Sequence, residues 1–302
     1  MPIFDTPEPI TVTFELAVTN VLVTATDRAT TTVTVRPHRA DRDVDLRAVE
    51  QTQVTFANGH LSISQPKGWR TFTPLGGHGE VDIDVELPIG SRIRGESSVG
   101  SFEAMGQLAG CTFTTTAGDL TVDDVETASL RTTAGSIDVG RLGGESDVTT
   151  SAGSIRIGQI DGTARVKNST GSTTIGRADG ELHVQGAYGS IAIERTSDTV
   201  EVKTAYGDLR IDEVVRGAVR MESSYGELQV GIREGTAVWL DAQSTMGRVR
   251  NSLQPDEGPD GSDDTADVYA RTSFGNIVVR RTSASAARSH TAEAPSEDTP
   301  AE

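Results

Sequence analysis

The chain has 302 residues and a formal net charge of −17 at pH 7, from 27 basic and 44 acidic side chains. This excess of acid disfavours nucleic acid and anionic membrane surfaces as partners, because phosphate binding requires clustered Lys and Arg. The one cysteine, Cys111, excludes an intramolecular disulfide framework and a cysteine-built zinc site.

The first residues of the chain lack the basic segment and the apolar stretch of a secretory signal. No part of the sequence approaches the roughly 18 continuous apolar residues of a membrane-spanning helix. The sequence therefore predicts a cytoplasmic protein without a membrane span.

Residues 1–90 alternate between apolar and polar side chains, which is the pattern of half-buried β-strands. The pair Asn58-Gly59 predicts a hairpin turn between two of these strands. A short helix is predicted over 39–50 and a loop over 67–79. We interpret the region as an irregular N-terminal β cap, or first coils, because the first coil of a stacked array would otherwise expose an open edge.

Residues 91–280 contain a repeat in which a small or polar pair, a variable residue and a glycine precede an alternating stretch. One copy, over 132–139, reads Thr-Thr-Ala-Gly-Ser-Ile-Asp-Val. A regular period of this kind indicates a repeat architecture in which every unit forms the same structure. The repeat glycines are spaced by 17 to 19 residues up to Gly226 and then by 21 and 28: Gly100, Gly118, Gly135, Gly153, Gly171, Gly189, Gly207, Gly226, Gly247 and Gly275.

Each repeat has two alternating stretches, one directly after the glycine and one near the end of the unit. Ile191 and Ile193 belong to the first kind, and Val200 and Val202 to the second. Alternation buries one face of each strand, and stacking of coils of about 18 residues joins equivalent strands into parallel sheets. The sequence thus predicts an all-β fold, a parallel β-solenoid. An antiparallel sandwich would not repeat the same residue types at the same phase, and a propeller blade needs about 40–45 residues.

Two segments interrupt or follow the predicted coils. Residues 254–267 are rich in Asp, Pro and Gly, which stop strand formation, and they predict an acidic surface loop. Residues 281–302 are rich in Ser, Ala, Thr, Glu and Pro, and they predict a disordered tail. Neither segment offers enough apolar residues to offset the entropy that ordering would cost.

Several phrases of the sequence occur together in one known family. Residues 85–90 read Val-Glu-Leu-Pro-Ile-Gly, residues 97–101 read Ser-Ser-Val-Gly-Ser, and repeats like the one over 132–139 follow. On these phrases, over roughly residues 80–280, the chain resembles the bacterial putative-adhesin β-strand-repeat family, a domain of unknown function. The resemblance implies a right-handed β-solenoid and no established catalytic residues.

Residues that commonly carry catalytic or metal-binding chemistry form no known motif in this sequence. The five histidines are far apart, and no zinc-protease, nucleophile-elbow or phosphate-loop motif occurs. We therefore predict no catalytic residue, no cofactor and no metal site. The enzyme alternative is a polysaccharide-active β-helix with acid–base residues on an outer sheet. Its candidate acids are Asp119, Asp123, Asp124, Asp138, Asp208 and Asp212.

The position before the repeat glycine changes from small to large residues along the chain. Early repeats have Ala117, Ala134, Ala152 and Thr170 there. One hypothesis for the later residues is an exposed aromatic stripe that binds a protein or a glycan, and the other is a buried corner stack. These later residues are the candidate partner-binding residues Tyr188, Tyr206, Tyr225, Met246 and Phe274.

The leading functional hypothesis is a non-catalytic β-solenoid scaffold or adhesin-like binding module that engages a protein or an envelope glycan. The first alternative is a self-assembling structural protein similar to bactofilins, which polymerise through their coil ends, and this would make the protein a homo-oligomer. The second alternative is the polysaccharide-active enzyme.

Overall fold

The computed structural model describes residues 2–65, 79–253 and 264–282. These residues form two long β-sheets, of 14 and 13 strands, around one apolar core. Each regular coil contributes one strand to each sheet, and equivalent strands of neighbouring coils pair in parallel. The predicted all-β parallel solenoid is confirmed.

The N-terminal part of the chain contributes nine strands and one helix. They are β1 (Ile3–Asp5), β2 (Thr11–Glu15), β3 (Thr19–Thr26), β4 (Thr30–Pro37), α1 (Asp43–Gln51), β5 (Gln53–Ala57), β6 (His60–Ser64), β7 (Val81–Pro88), β8 (Arg92–Val99) and β9 (Phe102–Leu108).

The rest of the described chain alternates between the two sheets. Its strands are β10 (Gly110–Ala117), β11 (Leu120–Val125), β12 (Ala128–Ala134), β13 (Ile137–Leu142), β14 (Ser146–Ala152), β15 (Ile155–Ile160), β16 (Ala164–Thr170), β17 (Thr173–Ala178), β18 (Leu182–Tyr188), β19 (Ile191–Thr196), β20 (Val200–Tyr206), β21 (Leu209–Val214), β22 (Gly217–Tyr225), β23 (Leu228–Arg233), β24 (Thr236–Met246), β25 (Val249–Asn251), β26 (Asp264–Phe274) and β27 (Ile277–Thr282).

The helix predicted over 39–50 is present as α1 and begins at Asp43. Asp45 is buried in its first turn, and its carboxylate accepts hydrogen bonds from the backbone nitrogens of Arg39 and Glu80. The predicted turn at Asn58-Gly59 joins the antiparallel strands β5 and β6, with φ of 51° and 73° at the two turn residues.

The core consists of the inward-facing residues of both sheets, at the phase that the alternation predicts. Ile191, Ile193, Val200 and Val202 are all buried, and each lies beside its equivalent in the next coil. Stacking therefore turns each inward position into a row of Ile, Leu and Val side chains. Burial of these rows supplies the main stabilisation, since one coil alone could not cover its apolar face.

The repeat glycines form the corner at which the chain passes from the 13-stranded sheet to the 14-stranded sheet. Gly153, for example, has a φ of 149°, a conformation that disfavours residues with a side chain. A Cβ at Gly153 would also lie well within 3.0 Å of the carbonyl oxygen of Gly135 in the preceding coil. The corner position of Gly153 thus requires glycine, both because of its positive φ and because the stacked backbones approach each other closely.

Hydroxyl and amide side chains secure the same corner from inside. Thr132 donates a 3.1 Å hydrogen bond to the carbonyl oxygen of Gly118, and Thr150 donates one of 3.0 Å to that of Gly135. Asn168, Ser223, Thr272 and Ser244 make equivalent bonds to the glycine carbonyls of their neighbouring coils. This row of Thr, Ser and Asn side chains therefore bonds mainly with the corner backbone. Gly186 and Thr204 interrupt this row, and Thr204 Oγ1 has no hydrogen-bond partner in the described structure.

The coils do not stack in chain order at the two ends. At the C-terminal end, β26 lies between β22 and β24, and β27 lies between β23 and β25. At the N-terminal end, β2 lies between β8 and β6, and β3 lies between β9 and β7. The regular repeat spacing predicts a simple succession of coils, and this prediction is wrong for the end coils.

The two ends of the solenoid differ. At the N-terminal end, β4 and β5 pair antiparallel with the sheets, α1 packs against β4, and the rings of Phe4 and Phe56 meet with centroids 4.9 Å apart. At the C-terminal end, β24 and β25 are the outermost strands of the described chain. The inward-facing Val249 is 43% exposed there, so the core is closed at one end and partly open at the other.

Three predicted segments fall mainly outside the described residues. The loop predicted over 67–79 is described only at its last residue. Of the acidic segment 254–267, only residues 264–267 are described, and they are the first residues of β26 rather than part of a loop. Strand β27 includes residues 281 and 282, and the remainder of the predicted tail, 283–302, lies outside the described residues.

Candidate binding surface

The large residues that precede the late repeat glycines lie on the outside of the molecule. Because β26 is inserted beside β22, their order along the solenoid is Tyr188, Tyr206, Tyr225, Phe274 and Met246, and we call this row the aromatic ladder. Phe274 therefore lies next to Tyr225, and Met246 lies at the end of the row, which is the reverse of their order in the chain. The exposed fractions in this order are 58%, 45%, 44%, 42% and 64%.

The rings of the aromatic ladder stack face to face along the solenoid axis. The ring centroids are 5.1 Å apart between Tyr188 and Tyr206, 4.9 Å between Tyr206 and Tyr225, and 4.6 Å between Tyr225 and Phe274. The ring planes differ by 7° or less. Each inner ring is covered on both faces by its neighbours, so the ladder presents ring edges and tyrosine hydroxyls to solvent.

The corner geometry explains why these rings are outside. Each one directly precedes a repeat glycine. At Gly189, Gly207 and Gly275, which follow Tyr188, Tyr206 and Phe274, a positive φ turns the chain so that the preceding side chain points away from the core. The same position holds Thr170 and Ala152 in the earlier coils, where Thr170 pairs in register with Tyr188 and Ala152 pairs with Thr170. The ladder therefore ends in a step, where the outer face of the Tyr188 ring stands above small side chains.

A shallow polar groove of about 550 Å³ runs beside the aromatic ladder on the outer face of the 13-stranded sheet. Its lining includes Lys203, Glu222 and Arg271 together with serine, threonine and glutamine side chains. Lys203 Nζ lies 2.6 Å from Glu201 Oε1 and 3.7 Å from Glu222 Oε2. The hydrogen bond with Glu201 raises the pKa of Lys203, and the same contact lowers the pKa of Glu201. Lys203 and Glu201 are therefore both charged at neutral pH.

A sequence model described as Toastrack DUF4097 matches residues 11–280 of the chain. The chain belongs to this Toastrack family. The match includes most of the N-terminal strands as well as the regular coils. The resemblance found in the repeat phrases is thereby extended over both sheets.

Three solved structures are similar to this Toastrack chain over 93% of its length. A "putative cell adhesion protein" from Clostridium sporogenes is 10% identical and is covered over 98% of its chain, with a TM-score of 0.28. A "putative adhesin" from Bacteroides fragilis is 12% identical and covered over 95%, with a TM-score of 0.28. A "putative lipid binding protein" from Parabacteroides distasonis is 13% identical and covered over 95%, with a TM-score of 0.32. No curated protein matches the chain.

The acids proposed for a polysaccharide-active site are engaged in the Toastrack scaffold itself. Three of them accept hydrogen bonds from backbone nitrogens of adjacent coils: Asp119 from Ser136, Asp123 from Gly106 and Asp208 from Glu227. The other three pair with arginines: Asp124 with Arg141, Asp138 with Arg156 and Asp212 with Arg210. Asp123 and Asp138 line one shallow depression of about 290 Å³, and the other four acids do not line it.

Other reactive groups of the Toastrack chain have structural surroundings. Burial raises the pKa of the Cys111 thiol to about 12, so it is neutral and unreactive in the core. His183 lies on the outer face between Glu181, at 2.9 Å, and Glu201, at 3.2 Å. The described residues contain no group of three or more His, Cys, Asp and Glu side chains arranged to hold a metal ion. Nor does any described helix have the length and apolar character needed to cross a bilayer.

Proposed function

We propose that this Toastrack chain is a non-catalytic binding module whose aromatic ladder docks an apolar segment of another protein. The observation that carries the proposal is a continuous row of five exposed, large apolar side chains on a strongly acidic chain. Contiguous exposed apolar surface on a soluble protein marks interaction sites, and aromatic residues dominate the energetics of protein interfaces.

The ring geometry favours a protein partner over a glycan. A sugar ring stacks on the face of an aromatic side chain, but the inner faces of this ladder are already covered by neighbouring rings. Ring edges carry partial positive charge, and tyrosine hydroxyls donate hydrogen bonds. Backbone carbonyl oxygens and apolar side chains of a protein segment are therefore the groups that such a strip accommodates.

The rigidity of the ladder supports the same function. Each ring projects from a corner that is fixed by a glycine and by paired strands on both sides. Because the stacked rings lose little further freedom on binding, docking has a low entropic cost. The polar groove beside the ladder supplies charged and hydroxyl groups for the rim of such an interface.

The test is the triple variant Tyr188→Ser, Tyr206→Ser, Tyr225→Ser. We expect it to keep the far-UV circular dichroism spectrum of the wild type and to lose the proteins that the wild type captures from an extract of its own source. Each captured protein is then purified and its dissociation constant measured with both forms. An increase of about 100-fold or more is expected, as for removal of several interface aromatics.

The matched control replaces three exposed apolar residues elsewhere, Leu46→Ser, Ile89→Ser and Met105→Ser, whose exposure is close to that of Tyr206 and Tyr225. This variant should bind as the wild type does. Retention of polysaccharides by the wild type, lost in the tyrosine variant, would contradict the protein partner. Equal binding by all three forms would contradict the assignment of the ladder.

A further inference from the structure

The C-terminal end of the solenoid exposes two strand edges and part of the core. Strand β24 has 11 residues, and among the described residues it pairs only with β26, as β25 pairs only with β27. The inward residues Val238, Leu240 and Ala242 of β24 are only partly buried, because a coil covers them on one side alone. An edge of this length presents a row of backbone donors and acceptors that another strand can complete.

The two undescribed segments that adjoin the C-terminal strands in sequence have no large apolar side chains with which to complete this core. Residues 254–263 and 283–302 contain no Val, Ile, Leu, Met or aromatic residue. The N-terminal end of another copy differs from the C-terminal end, because its outermost described strands are the three-residue β1 and the antiparallel β5, and the rings of Phe4 and Phe56 meet between them. Head-to-tail polymerisation, as in the bactofilin-like alternative, would therefore pair the 11-residue β24 with the five-residue β5.

We propose that two copies of the chain associate through their C-terminal ends, with β24 of each copy paired to β25 of the other. A two-fold axis parallel to the strands places the end of the 13-stranded sheet against the end of the 14-stranded sheet. Both sheets then continue across the contact, and the last inward rows pack on each other. The symmetry closes the assembly at two copies.

Charges at the two edges are complementary in this arrangement. Asp241 lies on the outer face of β24, where its side chain is about one-third exposed and pairs with Arg271 of β26 at 3.2 Å. Arg250 lies on the outer face of β25, where it is exposed and has no ion-pair partner among the described residues. Because β24 of one copy pairs with β25 of the other, Asp241 of one copy lies at the edge that carries Arg250 of the other. Pairing of β24 with β24 would instead place like charges together.

The first measurement is the mass of the full chain by sedimentation over a range of concentrations. We expect a dimer of twice the 31.9 kDa chain mass. Fourteen paired strands at about 4.8 Å give a monomer length of about 65 Å, and small-angle scattering of the dimer should show about twice this length. A monomer at every concentration, or a dimer no longer than the monomer, overturns the proposal.

Two kinds of variant locate the contact. Ala242→Lys puts a charge on the partly buried inner row of β24, and we expect a monomer, whereas the exposed control Ser224→Lys should remain dimeric. Asp241→Arg and Arg250→Asp should each weaken the dimer about tenfold, because symmetry makes each contact twice, and the double variant should recover it. A dimer that tolerates Ala242→Lys and both charge reversals refutes the proposed contact.

The proposal is independent of the aromatic ladder. The triple tyrosine variant should stay dimeric, because its side chains lie on the side of the solenoid and not at its end. Loss of the dimer in that variant alone would assign self-association to the ladder and overturn the end-to-end contact. If Arg250→Asp abolishes the dimer but the variant still captures the partner protein, the end contact and the aromatic ladder are two distinct binding surfaces.

Discussion

Successive residues of a solenoid strand have opposite surroundings, and this alternation is the simplest physical property of the chain. Ile191 is 3% exposed in the middle of the core, while Arg210 of the next coil points outward and pairs with Asp212. Alternate positions along each strand therefore place the side chain either in the core or in solvent.

Replacement of Ile191 by Asp is expected to lower the free energy of unfolding by about 4 kcal/mol, because it buries a carboxylate without a partner. Arg210→Ser, on the outer face, should cost about 0.5 kcal/mol or less. Denaturant unfolding followed by circular dichroism measures both. Equal losses in the two variants would show that the inward and outward phases have been assigned wrongly.

The corner between the two sheets is an element in its own right, formed by a glycine, the hydroxyl that bonds it and the residue that precedes it. Sequence alternation predicts the strands on either side, since apolar periodicity directly reflects burial. It does not predict the direction of the residue before the glycine, because a positive φ interrupts the alternation at that point. For this reason the exposure of the aromatic ladder became clear only from the structure.

The hydroxyls of this corner provide a matched pair of substitutions. Thr150 donates a hydrogen bond to Gly135, and Thr204, at the same position in a later coil, has a buried hydroxyl without a partner in the described residues. Thr150→Val should cost about 1–2 kcal/mol, because it removes the bond and leaves the carbonyl without this donor. Thr204→Val should be neutral or stabilising. A similar cost for both in denaturant unfolding would mean that the hydrogen bond contributes nothing to the corner.

At the scale of the whole molecule, the order of the coils is the property that the repeat pattern could not supply. Every coil has the same inward phase and the same corner glycine, so Gly275 can stack on Gly226 as well as Gly247 can. The interval of 28 residues before Gly275 predicts an acidic loop, and it is also long enough for the chain to pass over one coil and return. Because all coils share the same inward positions and the same corner glycine, the sequence shows that any two coils can stack, but it does not show which coils are neighbours.

Truncation distinguishes the observed order from a simple succession. Removal of residues 283–302 should leave the melting temperature unchanged, because the segment has no large apolar residue to contribute to the core. Removal of residues 254–302 takes away β26 and β27, which separate β22 from β24 and β23 from β25. We expect the second truncation to lower the melting temperature by more than 10 °C. A small decrease would indicate that the coils stack in chain order.

The interleaved end coils also determine how the molecule resists a pulling force. An outermost strand peels away by breaking one row of backbone hydrogen bonds at a time. Strand β27 is instead held between β23 and β25, so tension applied at the C-terminus must rupture two rows together. Strands β2 and β3 are enclosed in the same way near the N-terminus, behind the short edge strand β1. Mechanical resistance should therefore be concentrated in β26 and β27 near the C-terminal end and in β2 and β3 near the N-terminal end.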